Sequence, residues 1–320
     1  MSIESTVYVR GRGSVATSFA DARRAGQESG KLAWISLVRP DDKDFEVISE
    51  SSGLEPRLLE EAARFPHRSG IERHETRLVA VLPMLRAADE DDNSSGGFGR
   101  VESDWVLFFA VGGLNMIVTF SDGGPSVLDR LRRKMEGTLD LIAEDSRAVL
   151  LGIVSEVIGD YERAVEAIDR RIWDAEVTLV EGKSGDVLRR IHALTSQAVG
   201  LQQEIKPLAS ALERLVEGDT PAVQRQLSRI RHRALRVTEK LDGARELLSS
   251  LLQVNLTVVG QKISAWGAIL IVPSLIAGVF GMNFNNAWWT RADHGFEVMI
   301  VVMLLISGSL YLWFRRSGWL

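Results

Sequence analysis

Seven positions near the C-terminus share a spacing that places them on one helical face. Gly260, Ser264, Gly267, Ile271, Ser274, Gly278 and Gly281 recur at intervals of 4, 3, 4, 3, 4 and 3. Six of the seven are small, and two of those carry hydroxyls. Two kinds of chemistry fit such a stripe. Small side chains let apolar helices approach closely, which makes a packing face. The same residues can line a water-filled pore, where hydroxyls and backbone carbonyls meet a passing ion. The stripe ends on Gly281-Met282-Asn283. Gly and Asn commonly end helices. Around a pore, Asn283 also offers one side-chain carbonyl per copy, a neutral oxygen suited to a cation that keeps its water shell.

The segment carrying the stripe is built to cross a membrane. Residues 263–284 read ISAWGAILIVPSLIAGVFGMNF, without a charge. About 20 apolar residues at ~1.5 Å rise span a hydrocarbon core of roughly 30 Å. A second apolar run covers 298–314, after a loop at 285–297, and a basic tail follows at 315–320. Lys262 abuts the first run and Arg315 and Arg316 close the second, while the loop sets Arg291 against Asp293 and Glu297. The positive-inside rule then puts both termini in the cytoplasm and the loop outside.

Upstream, helices are expected over 146–180, over 186–216 with a bend at Pro207, and from Pro221 without a stop signal to 280. Pro suits the first turn of the third, whose length at ~1.5 Å per residue is roughly 90 Å. Along it Val223, Leu227, Ile230, Ala234, Val237, Leu241, Ala244, Leu248, Leu251, Asn255 and Val258 keep a 4-3 spacing. Such a seam asks for partner helices, either the two preceding ones or those of other copies, and Asn255 within it would fix register or oligomeric state. Continued backward from Gly260, the small-residue stripe passes Thr257, Gln253, Ser250, Glu246, Gly243 and Glu239. Around an axis this face, with Thr257 and Glu246 among its lining residues, becomes a funnel feeding the membrane stripe. In a monomer it is a solvated face.

Residues 1–140 read as an α+β domain, a mixed sheet flanked by helices. Strands are expected at 6–9, 32–38 and 76–84, with a hairpin of 105–111 and 114–120 around Gly112-Gly113. Helices are expected from Pro40, over 54–65 and over 126–135, and a loop over 89–99. The domain is followed by a helical stalk of three long helices at 141–262 and then by the two spans.

Composition narrows the function. The 320 residues carry a net charge of −5, with 45 % hydrophobic and 25 % charged residues, and no cysteine. Disulfides and thiolate metal sites are excluded. No basic domain points to nucleic acid. Met1-Ser2-Ile3-Glu4 does not open a signal peptide. Gly11 and Gly13 are a lone glycine pair, without a dinucleotide fingerprint, phosphate loop or nucleophile elbow. The five histidines at 67, 74, 192, 232 and 294 form no helical ligand pair. The chain is expected not to be an enzyme and to need no organic cofactor.

One block is family-specific. Pro273-Ser274-Leu275-Ile276-Ala277-Gly278-Val279-Phe280-Gly281-Met282-Asn283-Phe284 resembles the Gly-Met-Asn signature block of the CorA-type divalent cation channels. The tail Phe314-Arg315-Arg316-Ser317-Gly318-Trp319-Leu320 is similar to that family's basic, Trp-Leu-ending terminus. Trp34-Ile35-Ser36-Leu37 resembles its Trp-Ile-Asp-Leu opening. The resemblance implies a homopentamer whose first spans line the pore, with Gly281, Met282 and Asn283 at the outer mouth. It implies a pore-lining hydroxyl at Ser274, and Thr257 stands where the family usually has Asn. It also implies closing by cytoplasmic Mg²⁺ held by carboxylates between subunits. The densest carboxylate run is Asp89-Glu90-Asp91-Asp92, which makes Asp89, Asp91 and Asp92 the regulatory candidates, although such a run is also the usual make-up of a solvated loop. Typical members carry an acid soon after the signature. Here 285–291 has none, leaving Asp293, Glu297 and His294 as the outer groups that could gather cations.

The resulting reading is a multi-pass protein of the cell's inner or plasma membrane. It is a homopentameric channel or transporter for Mg²⁺, with Co²⁺ or Ni²⁺ as further cargo, and its partners are other copies of itself, the bilayer and divalent cations. One alternative is a Zn²⁺ or other transition-metal transporter on the same fold, like the ZntB branch, whose outer loop also lacks the acid. Another is a membrane-tethered scaffold or sensor that conducts nothing.

Overall fold

Among the described residues, seven strands form one sheet in the order β2-β1-β3-β7-β6-β5-β4. The strands are β1 Ser2–Val9, β2 Arg12–Ala16, β3 Lys31–Val38, β4 Gly70–His74, β5 Arg77–Arg86, β6 Glu102–Val111 and β7 Met116–Ser121. The computed structural model describes residues 2–9, 12–16, 18–28, 31–38, 42–52, 70–74, 77–86, 102–111, 115–121, 133, 146–180, 187–214, 221–282 and 294–320. The helices expected at 54–65 and 126–135 and the loop at 89–99 fall outside those residues, apart from Arg133.

The sheet is mixed. β3 and β7 run parallel, Ala33 opposite Met116 and Val38 opposite Ser121, and the other pairs are antiparallel. β3 is apolar along nearly its whole length, and Leu32 through Leu37 are all buried, as befits a central strand covered on both faces. On one face Ala33, Ile35 and Leu37 join Phe109, Met116, Val118 and Phe120, covered by Ala22 and Ala25 of α1 (Phe19–Gln27) and by Phe45 and Ile48 of α2 (Asp42–Ser52). On the other, Trp34 is fully buried and its indole N–H donates to the Thr119 hydroxyl at 3.2 Å, satisfying a donor that burial would otherwise leave costly. The helix expected from Pro40 is α2. α1 was not anticipated, although it has a sequence signal: the Ser18 hydroxyl accepts from the Asp21 N–H as an N-cap.

Three long helices follow: α3 Ser146–Val180, α4 Val187–Arg214, which passes through Pro207, and α5 Pro221–Phe280, 60 residues without a break. The predicted seam is the buried face of α5. Val223 through Leu251 are buried at every seam position, Asn255 is 6 % exposed, and only Val258 is half-buried. α6 (Gly295–Arg316) completes the chain, extending the expected second span by a few residues at each end.

The described chain divides into two units. One comprises Met1–Val177 and Arg189–Leu248, the other Thr178–Leu188 and Ser249–Leu320. Within the first, polar ties cross the helices. Arg233 of α5 donates to both carboxylate oxygens of Glu162 on α3, at 3.0 and 2.7 Å, and to the Ser155 hydroxyl at 2.7 Å. Tyr161 of α3 donates to Glu204 of α4 at 2.6 Å. Gln202 of α4 bridges to Asp242 and accepts from Arg245. The Arg233 hydrogen bonds hold the Glu162 carboxyl below its ordinary value, against the opposing pull of burial. Burial first, then the Glu204 charge, raises the Tyr161 phenol well above its usual range.

Candidate functional site

Within the second unit, α5 and α6 pair through a small apolar cluster. Ala265 and Ile269 are buried with Phe314, and Ala268, Leu310 and Leu320 pack against them. Alanines at this contact let the helices come close, which is how apolar helices associate where water supplies no hydrophobic drive. The rings of Trp266 and Tyr311 meet beside it, 6.5 Å apart. Both helices are long and apolar enough to cross a membrane.

The small-residue stripe lies on a different face of α5. Each stripe position Gly267 and Ile271 follows a buried contact residue, Ala265 or Ile269, by two, and two residues rotate a helix by about 200°. The stripe is therefore turned away from α6. Gly260, Ser264, Ile271, Ser274 and Gly278 are exposed, and Gly267 is half-buried. Ile271, the one bulky member, is 65 % exposed. Thr257 is exposed in the same unit, and Glu246 is exposed within the other.

Two hydroxyls on this face and its backward extension are oriented. Ser274 donates to the Leu270 carbonyl at 2.9 Å and Thr257 to the Gln253 carbonyl at 3.0 Å. With its proton committed to the helix, each hydroxyl presents only lone pairs outward. Beyond Phe280 the helix closes in one step. The Gly281 N–H donates to the Ala277 carbonyl at 2.8 Å, and the Met282 N–H to the Val279 carbonyl at 3.3 Å. A β-carbon at Gly281 would stand 3.1 Å from the Ala277 oxygen, closer than ordinary van der Waals contact. Met282 is 57 % exposed. Asn283 and the loop through residue 293 fall outside the described residues, as do Asp89, Asp91 and Asp92. Glu297, in the first turn of α6, accepts from or shares a proton with His294 at 2.7 Å, an exposed pair of small energetic weight.

The tail is fixed rather than frayed. The Ser317 N–H donates to the Trp313 carbonyl at 2.9 Å and the Trp319 N–H to the Phe314 carbonyl at 3.0 Å, with Gly318 left-handed at φ +75° between them. This glycine-dependent C-cap lays the Trp319 ring 5.6 Å from Phe314. The sequence marks the tail as basic and Trp-Leu-ending, like the terminus of the family it resembles, and the cap adds how it is held.

A mixed-sheet domain that leads into a 60-residue helix and an apolar two-helix hairpin defines a membrane protein with two C-terminal spans. Residues 29–316 match the model of the CorA-like Mg²⁺ transporter protein family, and the chain belongs to that family, whose members are transporters. It is 24 % identical over 307 residues to the cobalt/magnesium transport protein CorA of Thermotoga maritima, covering 92 % of this chain and 85 % of that protein. Among solved structures, the complete CorA magnesium transporter of Methanocaldococcus jannaschii aligns with a TM-score of 0.62 at 17 % identity, covering 100 % of this chain and 99 % of that one. The ZntB cytoplasmic domain of Vibrio parahaemolyticus aligns with a TM-score of 0.61 at 10 % identity, covering 80 % of this chain and 98 % of that one. Both structural likenesses are likenesses of fold.

Proposed function

We propose that the protein is a homopentameric channel for Mg²⁺, with Co²⁺ or Ni²⁺ as secondary cargo, in the inner or plasma membrane with both termini cytoplasmic. Its division would be a cytoplasmic domain at 1–140, a stalk at 141–262, spans at 263–284 and 298–314 and a cytoplasmic tail at 315–320. The observation that carries the reading is the exposed stripe on α5, turned away from α6, on which Ser274, and Thr257 on its backward extension, have their hydroxyl protons already committed. A hydrated divalent cation presents only O–H donors outward, and Mg²⁺ sheds water reluctantly. A wall that offers acceptors and no charge holds such an ion through its waters, weakly enough to release it. Five copies of α5 around an axis would bring together Thr257, Gly260, Ser264, Gly267, Ile271, Ser274 and Gly278, with Glu246 below and Gly281, Met282 and Asn283 at the mouth. The inside-negative potential drives entry, at about 4.6 kcal/mol per divalent ion per 100 mV. Cytoplasmic Mg²⁺ held between subunits closes the pore, with Asp89, Asp91 and Asp92 as candidate ligands.

The experiment is cation uptake into liposomes carrying the purified protein, with Mg²⁺, Co²⁺, Ni²⁺ and Zn²⁺ in competition. Mg²⁺ entry blocked in part by Co²⁺ supports the reading, and Mg²⁺ that neither enters nor competes refutes it. A second reading, transition-metal transport, is favoured by one observation: residues 285–291 carry no acid and one arginine, Arg291. In the same assay it predicts Zn²⁺ entry that Mg²⁺ leaves untouched.

A further inference from the structure

The Trp266–Tyr311 contact, with ring centroids 6.5 Å apart, fixes which sides of α5 and α6 border a common groove. A cation stands one helical turn from each ring, toward the same end of the hairpin. Lys262 precedes Trp266 by four residues, and Arg315 follows Tyr311 by four. Residues four apart share a helical face. The two helices run in opposite directions, so both cations fall at one level on the rim of the groove. Lys262 is half-buried and Arg315 exposed. Trp266 is 51 % and Tyr311 37 % exposed, leaving an aromatic wall open beneath the cations. No Asp or Glu occurs between Glu246 and Asp293, or after Glu297, so neither cation has an acidic side chain near it along the chain. The Gly318 turn holds the end of α6 in place, with Leu320 packed back on the Ala265 cluster. Arg315 therefore projects from an anchored turn.

We propose that this groove binds the headgroup of an anionic phospholipid in the cytoplasmic leaflet. Lys262 and Arg315 would take the phosphate oxygens, for which the Arg fork is well matched. Trp266 and Tyr311 would lie against the glycerol and upper acyl chain, at the depth where aromatic rings settle in membranes. Arg316 is one residue further on and about 100° round the helix, outside the groove. The proposal rests on the membrane-crossing hairpin and its cytoplasmic end as assigned above.

The test uses the full-length chain purified in detergent, stripped of lipid and titrated with phosphatidylglycerol or phosphatidylcholine of identical acyl chains, with bound lipid read by native mass spectrometry. The wild type should retain phosphatidylglycerol preferentially. The paired substitution Lys262→Gln and Arg315→Gln should weaken that retention by about fivefold per residue, while Arg316→Gln leaves it unchanged. Equal retention of the two lipids by the wild type overturns the proposal, and that comparison decides the matter even if the paired variant does not fold. Unchanged phosphatidylglycerol retention in a folded paired variant also overturns it. Displacement of the lipid by millimolar inorganic phosphate would reassign the groove to soluble anions. Because bound mass is read without ion flux, a failed lipid site and a failed transport reading are separable results.

Discussion

At Ser274 and Gly281 the same helix face carries two different demands, and substitutions separate them. Ser274→Ala removes an exposed oxygen that, among the described residues, bonds to its own helix alone, at 2.9 Å to Leu270. Stability should stay within about 0.5 kcal/mol, as for other exposed changes, while Mg²⁺ uptake falls. Equal loss of uptake and of thermal midpoint would mean the hydroxyl is structural. Gly281→Val is the converse. Its β-carbon starts 3.1 Å from the Ala277 carbonyl, tighter than ordinary contact, and the expected outcome is a lowered unfolding midpoint in detergent. Both positions were legible from spacing alone, because a 4-3 rhythm maps directly onto one helical face. The direction of the hydroxyl protons was not legible, since it depends on a rotamer choice against the preceding turn. Nor was the anchored tail. Gly318 reads as one more small residue until its left-handed conformation and the Trp319 bond to Phe314 are seen.

Among the elements, α5 was the most readable. Its seam from Val223 to Leu251 is buried where the spacing requires, because a heptad pattern states both the helix and its buried face. The ties that hold α3 to α5 were not readable: Arg233 and Glu162 stand 71 residues apart, and nothing local pairs them. Arg233→Ala should destabilise the cytoplasmic unit by about 1–2 kcal/mol, the range for half-buried hydrogen bonds to a charged group, and chemical denaturation of the detergent-solubilised chain measures it. The same pair sets a pH dependence. Glu162 titrates below its ordinary 4.5 in the folded chain. Its contribution is therefore complete above that value and is lost as pH falls through the lower, folded value. Stability against acid below about pH 4.5 should consequently be less steep in Glu162→Gln than in the wild type. Asn255 makes a different statement. It is 6 % exposed, and its side-chain oxygen accepts no hydrogen bond among the described residues. A buried amide in a seam lowers stability and restricts pairing, so Asn255→Leu should raise the midpoint while broadening the distribution of oligomers seen by native mass spectrometry. A single oligomeric state in that variant would remove the amide from any part in assembly. In the sheet domain the long apolar strands β3, β5 and β6 were anticipated, whereas β2 and β4, five residues each, are too short and polar for a period of two to stand out.

For the molecule as a whole, one continuous helix carries the buried seam and the exposed stripe, and the proposed pore would need several copies of it. A monomer leaves Ile271, Leu275 and Leu304 about two-thirds exposed, which suits lipid for some of these side chains and an axis or a neighbour for others. The family was legible from the signature block because those residues are specific as a set. The ion was not, since residues 285–291 carry no acid where typical members of the resembled family have one. The decisive measurement is Mg²⁺ uptake into liposomes under an inside-negative potential, comparing the wild-type chain with Asn283→Ala at equal reconstitution and equal oligomeric mass. Rapid, potential-dependent entry in the wild type that is abolished in the variant is the predicted result. Absence of Mg²⁺ entry in a correctly assembled wild type, or entry indifferent to Asn283, would contradict the account.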